Sequence, residues 1–277
     1  IVNYTTLSTG NNCPVQTATG NNAPVITNIF INPIYIPIST PFMLTGAATD
    51  PDGDTLTYSW EQYDLGPAGA PSTPSGNAPL FRSLPASLNP TRIFPRINYI
   101  ISNNANPLGE KLPTYARSMN FRLTVRDNKV GGGGVTYDPT LVAINVVNTT
   151  TPFLVTNPNV LVTWPALSQQ TVTWDVSNTN AAPIGAAFVD ITLSTDGGFT
   201  YPITLASGVP NNGTCSVTMP NLTTSAARIM VKPTNNIFFD ICNKNFIISA
   251  PQGVSENVMV SQQVSISPNP ANDLVNI

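Results

Sequence analysis

Residues 42–60 read FMLTGAATDPDGDTLTYSW, two runs of strong β-formers on either side of an Asp-rich turn. β-Branched and aromatic residues fit a pleated sheet, whereas Pro, Gly and Asp interrupt it. The stretch therefore predicts strands over Phe42–Ala48 and Leu56–Glu61 with a loop between them. Upstream, Val25–Ile31 follows Asn22-Ala23-Pro24 and reads as a further strand. Downstream, alternation returns at Met119–Arg126 (MNFRLTVR) and at Leu141–Val147, joined across Gly131–Gly134, which reads as a mobile turn. These strands make a first β-sandwich over residues 21–148. A Pro-, Ser- and Asn-rich insert runs from about 64 to 116. That is too long for a plain loop in a compact domain, so it calls for short strands of its own or an Ω-type excursion.

A second set of strands occupies residues 149–249: Val160–Trp164, Thr171–Val176, Phe188–Ser194, Tyr201–Leu205, Thr214–Met219, Arg228–Lys232 and Ile237–Ile248. Their regular spacing, with turn residues between them, is the pattern of an immunoglobulin-like or fibronectin-type-III-like sandwich. No segment of helical period has useful length, so the fold class is all-β, with two tandem sandwiches. Residues 1–20 read as a linker. Residues 250–277 read as a second linker followed by VSISPNPANDLVNI, which alternates but stops before a domain closes.

Composition narrows the function. Of the 277 residues only 9% are charged, against roughly 25% in an average soluble domain. Thr and Asn number 34 and 32, and histidine is absent. Without an imidazole there is no Ser-His or Cys-His nucleophile pair, no His general base and no His-ligated catalytic zinc. A net charge of −3 with a pI near 4.7 argues against a nucleic-acid surface, which needs clustered Lys and Arg. No apolar run approaches the roughly 18 residues of a membrane span. Cys13, Cys215 and Cys242 are too few for a disulfide framework. A Cys215–Cys242 bridge is open but not favoured, because Cys215 alternates in phase with Val217 and Met219 while Cys242 is out of phase with its neighbours. The chain opens at Ile1 without a signal-peptide pattern, as a piece of a longer precursor would, and its Thr/Asn-rich, Lys-poor composition suits a secreted or cell-surface module.

The densest acidic constellation is Asp50, Asp52 and Asp54, flanking Gly53. Three carboxylates so close repel one another unless a hard cation such as Ca²⁺ gathers their oxygens; the alternative is a solvated turn whose Asp residues cap backbone N–H groups. In a sandwich the Asp-rich loop lies at the pole where the strand after Asn22 begins and where the strand ending before Asp127 arrives. Asn22, Asp50, Asp52, Asp54 and Asp127 are thus the candidate metal ligands. The segment ATDPDGDTLTYSW resembles the Asp-rich loop of cadherin-like and polycystic-kidney-disease-type domains, and NNAP resembles the calcium-ligating linker before a cadherin repeat. That resemblance implies Asn22, Asp50, Asp52 and Asp127 as ligands, with Asp54 contributing a backbone carbonyl or nothing.

Two wider resemblances follow. VSISPNPANDLVNI resembles the opening of the C-terminal sorting domain of the Bacteroidetes type IX secretion system. The blocks FMLTGAATDPDGDTLTYSWEQYD, PLFRSLPASLNPTRIFP, MNFRLTVRDN, PFLVTNPN, TVTWDVSNTNAAP, ITLSTDGGFTYPITLA and NIFFDICNKNF are together similar to the region after the catalytic domain in secreted reprolysin-like zinc metallopeptidases of Bacteroidetes. The likeness implies an upstream domain that carries H-E-x-x-H and the zinc, leaving this segment non-catalytic. It also implies three partners: that upstream domain, the type IX secretion machinery and a protein substrate.

The remaining features divide between function and structure. Ser194 to Tyr201 (STDGGFTY) matches the Asp-box pattern of a well-made hairpin. Trp60 and Trp174 sit mid-strand, as core pins do, while Trp164 beside Pro165 is the most exposed candidate. Tyr35, Tyr63, Tyr99, Tyr115 and Tyr137 fall in or near loops. Five of the eleven basic residues lie in or beside the insert, making Arg82, Arg92 and Arg96 the candidate substrate contacts; the other reading is an insert that caps one end of the sandwich. Two further functions stay open: a carbohydrate-binding module with an aromatic platform, and an enzyme working through carboxylates such as Glu61, Asp64 and Glu110.

Overall fold

The computed structural model describes residues 18–27, 30 and 33–251. Cys13, most of the first linker and the sorting-domain-like tail lie outside the described residues. In the first sandwich the strands are β1 (Val25–Ile26), β2 (Ile34–Pro37), β3 (Phe42–Thr45), β4 (Ala48–Thr49), β5 (Thr57–Gln62), β6 (Thr91–Phe94), β7 (Arg117–Arg126), β8 (Val135–Tyr137) and β9 (Val142–Val147). A short helix, α1 (Ile97–Ile101), follows β6. One sheet runs β2-β9-β7-β5 with β8 beside β7, and it faces the pairs β3-β6 and β1-β4. Alternation decides the layering: in β7 the residues Arg117, Met119, Phe121, Leu123 and Val125 are buried and those between them are not, the period-2 signature of a half-buried strand.

The second sandwich holds β10 (Leu154–Asn157), β11 (Thr163–Pro165), β12 (Gln169–Asp175), β13 (Phe188–Ser194), β14 (Ile203–Pro210), β15 (Thr214–Thr218), β16 (Thr224–Pro233), β17 (Asp240–Ile241) and β18 (Phe246–Ser249). Its sheets are β10-β12-β15 and β11-β18-β16-β13-β14, with β17 on β16. The chain is all-β, two tandem immunoglobulin/fibronectin-like sandwiches. The sequence reading missed β2, β8 and β10; β2 follows Pro33 and ends on Pro37 and β10 lies between Pro152 and Pro158, where proline reads as a break.

The sandwiches are not independent beads. β3 pairs with β6 on one edge, and on the other Phe42 bridges Phe238 while Met43 N–H donates to Ile237 O and Phe239 N–H donates to Pro41 O. One apolar core runs through both sandwiches; within it Phe153 and Phe238 meet edge to face with centroids 5.2 Å apart. Strand β16 is buried on both faces from Ala227 to Val231 because its outer face meets the first sandwich. There Met230, Phe239 and Ile241 pack against Met43, Ile93, Ile97, Ile100 and Tyr201, and the Arg228 guanidinium donates to Ile101 O and Cys242 O. The insert is therefore neither a free excursion nor an end cap. Its helix is a wedge between the sandwiches.

Asp240 sits at this joint, 7% exposed, its Oδ2 accepting the Val155 N–H at 2.7 Å. Burial pushes its carboxyl up to about 7, against the pull of the Val155 and Ile241 N–H groups.

Two expectations follow. Phe238→Ala opens a cavity at the shared core and costs about 3–5 kcal/mol; calorimetry of the wild-type protein shows one transition for both sandwiches, not two. Because the folded protein holds the Asp240 proton at pH values where the unfolded chain, with a carboxylate near 3.9, has lost it, stability falls as pH rises from 4 to 7. The loss is on the order of 3 kcal/mol, and Asp240→Asn flattens that slope in denaturant titrations run across this range.

Candidate functional site

The acidic pole forms where β4 ends, β5 begins and β7 finishes. Val25 pairs with Thr49 and Thr57 with Arg126, so Asn22, the Asp50–Asp54 loop and Asp127 are carried to one end of the first sandwich. Gly53, at φ 79°, supplies the left-handed turn that folds the loop back. One carboxylate oxygen from each of Asp50, Asp52 and Asp54 lies within 4.8 Å of the others. Asp50 Oδ1 accepts the N–H groups of Asp52 and Asp54. Asn22 donates its backbone N–H at 2.6 Å and its side-chain amide at 3.1 Å to Asp52, which together hold the Asp52 carboxyl below the usual carboxylate range.

Asp127 reaches the same end but is occupied differently. It is 2% exposed and accepts Asn21 Nδ2 at 2.6 Å, the Lys129 N–H at 3.1 Å and the Gly134 N–H at 2.8 Å. These bonds, the Asn21 amide foremost, lower its pKa. The glycine run is thus a fitted cradle: a Cβ on Gly134 would lie 2.8 Å from Asp127 Oδ2 and 2.8 Å from Ala23 Cα. Asp54 is held by Lys129, whose Nζ donates to both of its oxygens at 3.0 Å; this pairing raises the Lys129 pKa.

Two oxygens mark the site. Asp50 Oδ2 and Asn21 Oδ1 are buried and accept no hydrogen bond. A buried oxygen without a donor is costly, and clustered carboxylate oxygens are a donor type that Ca²⁺ takes. The donor types suit such an ion, with Asp52 already bonded to Asn22 and Asp54 to Lys129. Asn21, which the sequence reading passed over for Asn22, is the residue that ties the incoming chain to Asp127.

The three candidate contact arginines separate. Arg92, 9% exposed, is not a surface residue. It donates to Trp60 O at 2.5 Å and Arg82 O at 2.8 Å, and its guanidinium lies 4.4 Å from the Phe94 ring centroid; burial lowers its pKa to about 10. It shares the fully buried Glu110 with Arg96: Arg92 Nη2 is 3.4 Å and Arg96 Nε 3.2 Å from Oε1, and the Arg96 N–H donates to Oε2 at 2.6 Å. Arg96 keeps 39% of its side chain exposed, and Arg82 lies on the surface.

Arg96 lines a groove of about 330 Å³ that takes residues from both sandwiches, with Tyr58 and Ile93 on one and Phe199 on the other. Phe199, 54% exposed, is presented by the Asp-box hairpin. There Asp196 accepts the Phe199 and Thr200 N–H groups and the Thr200 hydroxyl, while Tyr201 packs into the joint. The motif is structural, as its pattern predicts. Trp60, Trp164 and Trp174 are all at least 93% buried. Trp164 is thus a correction: a strand end beside proline suggested exposure, but Phe246 covers it with ring centroids 4.8 Å apart. Among the tyrosines, Tyr63 and Tyr137 both flank the Arg122 guanidinium, at 3.7 and 4.9 Å. Cys215 and Cys242 are free thiols. Glu110 and Asp64, which the carboxylate-enzyme reading needs free, are engaged: Asp64 accepts from Gln62 and Asn120.

No family model matches the chain, and no curated protein matches it. Among solved structures it is similar to the Bacteroides ovatus mixed-linkage glucan utilization locus protein SGBP-B in complex with a mixed-linkage heptasaccharide, at 11% identity and a TM-score of 0.24 over 84% of this chain and 48% of that one. It is similar to the fibronectin(III)-like modules of Clostridium thermocellum CbhA at 9% identity and 0.25, over 82% and 94%. It is also similar to the chicken CNTN1 FN1–FN3 domains at 13% identity and 0.27, over 84% and 68%. This chain thus spans about half the length of the first of these. Among the described residues no helix is long and apolar enough to cross a membrane.

Glu110→Gln leaves the buried Arg92 guanidinium without its counter-charge and costs about 3–5 kcal/mol, while Arg82→Gln, on the surface, stays within about 0.5 kcal/mol. Urea titrations of the two variants read the difference directly.

Proposed function

We propose that the two sandwiches are a non-catalytic accessory unit of a secreted zinc metallopeptidase, holding the upstream catalytic domain at a fixed distance and offering a contact for protein substrate, with the first sandwich stabilised by Ca²⁺. The observation that carries the accessory role is the shared core at Phe42, Phe153 and Phe238, which makes one stiff piece from two modules. A histidine-free chain supports assigning zinc and peptide hydrolysis to a neighbouring domain. In the calcium site Asp50, Asp52 and Asp54 would supply carboxylate oxygens, Asn22 would hold Asp52, and Asp127 would anchor the incoming chain through Asn21. The ion would supply charge neutralisation at a pole that otherwise keeps three carboxylates together. A carbohydrate-binding role is the second reading; the burial of all three tryptophans disfavours it.

Melting the protein with Ca²⁺ and with chelator tests the metal. At about 100 times Kd the ion adds about 2.7 kcal/mol, a rise of roughly 5–10 °C for a cooperative unit of this size. Asp50→Asn abolishes the rise, and identical melting with and without Ca²⁺ refutes the site. For the parent activity, the full-length precursor should cleave casein in a zinc-chelator-sensitive way while residues 1–277 alone should not.

A further inference from the structure

The groove beside β6 has an open sheet edge as one wall. Met43 gives its N–H to Ile237 O across the joint, so Met43 and Ile93 form a non-hydrogen-bonded pair within β3-β6. In an antiparallel ladder such pairs point their N–H and C=O outward. The Ile93 N–H and C=O therefore face away from β3, along the edge of β6 that no described strand covers. Ile93 itself lines the groove.

The other walls mix apolar side chains with Ser, Thr and Asn and two arginines, of which Arg92 is buried and Arg96 is half-exposed. Tyr58, Leu84, Ile97 and Phe199 line the groove together with Arg96. Arg96 uses its Nε on Glu110, and no described residue takes a hydrogen bond from its two Nη nitrogens. Arg92 and Arg96 share the single buried carboxylate of Glu110, and Glu61 also acts on Arg92, so the charge the groove offers a ligand is the half-exposed Arg96 guanidinium. An open backbone edge, an apolar wall and a guanidinium held by Glu110 and the Tyr99 ring at 5.8 Å, with its Nη edge outward, are the elements of strand addition with side-chain selection.

We propose that this groove takes an extended peptide segment that pairs with the Ile93 edge of β6 and places a carboxylate on the Arg96 Nη pair, with an adjacent apolar side chain against Phe199 and Ile97. The ligand class is thus an acidic-apolar stretch of another protein. This deepens the substrate-contact reading above and rests on it only in taking the partner to be protein. The site needs neither the calcium pole nor the upstream enzyme.

Fluorescence anisotropy with a labelled, end-capped Thr-Val-Glu-Val-Glu-Val-Thr peptide tests it, with the Glu→Gln peptide as control and oligogalacturonate as the anionic glycan. Because the charged bond is worth about 1.5–3 kcal/mol, the Glu peptide binds roughly ten- to a hundred-fold more tightly than the Gln peptide. Arg96→Gln removes that preference, and Phe199→Ser, an exposed position that leaves the melting temperature unchanged, weakens both peptides. Equal binding of the Glu and Gln peptides, or no binding of either, overturns the proposal, as does oligogalacturonate binding without peptide binding. A failed calcium melt or an inactive precursor would count against the accessory-module reading and leave this result standing, so the two failures are told apart.

Discussion

Strand β3 is hydrogen-bonded on both edges, to β6 within its own sandwich and to residues 237–239 of the other. That double pairing is the constraint on which the remaining geometry hangs. A linker between sandwiches would leave their relative angle to chance, whereas a backbone ladder fixes it to within the tolerance of hydrogen bonds. Once fixed, the outer face of β16 must be covered, and the insert supplies the cover with α1. The price of that arrangement is a buried carboxyl, Asp240, placed where the chain enters the second sandwich. Its Val155 bond orients the crossing strand, while its raised pKa records how dry the joint is.

Much of this was legible in the chain. Period-2 alternation in MNFRLTVR and in Phe188–Ser194 located the central strands because both face a core on one side and solvent or a partner on the other. The Asp-rich loop was legible for the same local reason: carboxylates on either side of a turn glycine have few structural uses. The pole could be assembled from strand order alone, since a sandwich returns alternate strands to the same end. What escaped the reading were the long-range pairings. Phe42 and Phe238 lie 196 positions apart, and nothing in either stretch distinguishes an edge that meets its own sheet from one that meets a neighbour.

The misread residues share one cause. Arg92 was placed on the surface because it stands in an insert rich in Pro, Ser and Asn, and Trp164 because it stands at a strand end beside Pro165. Composition describes the segment, not the side chain. Arg92 is buried because Glu110, Trp60 O, Arg82 O and the Phe94 ring together replace its hydration, and a guanidinium tolerates such a site only when its charge and several donors are matched. Gly131–Gly134 was misread in the same manner. Four glycines suggest mobility, yet at Gly133 and Gly134 the missing Cβ atoms let the chain close around Asp127, while Gly131 stands in open space.

The acids of the chain show how its polar side chains are distributed. Asp64, Asp138, Asp175, Asp190 and Asp196 each accept N–H or hydroxyl donors from nearby turns and strands, and Glu110 answers two arginines. Each of these carboxylates is isolated and matched by donors, as a fold with few charges requires. The pole carboxylates are also met by donors, but they are not isolated. Three carboxylates share a space less than 5 Å across, one ammonium faces them, and two buried oxygens accept nothing. A hairpin turn needs one capping Asp, as Asp196 demonstrates in the same molecule. The repulsion among the pole carboxylates is met in part by the Asn22 N–H and amide on Asp52 and the Lys129 ammonium on Asp54, which leaves Asp50 Oδ2 as the clustered carboxylate oxygen without a donor, where the proposed cation would act.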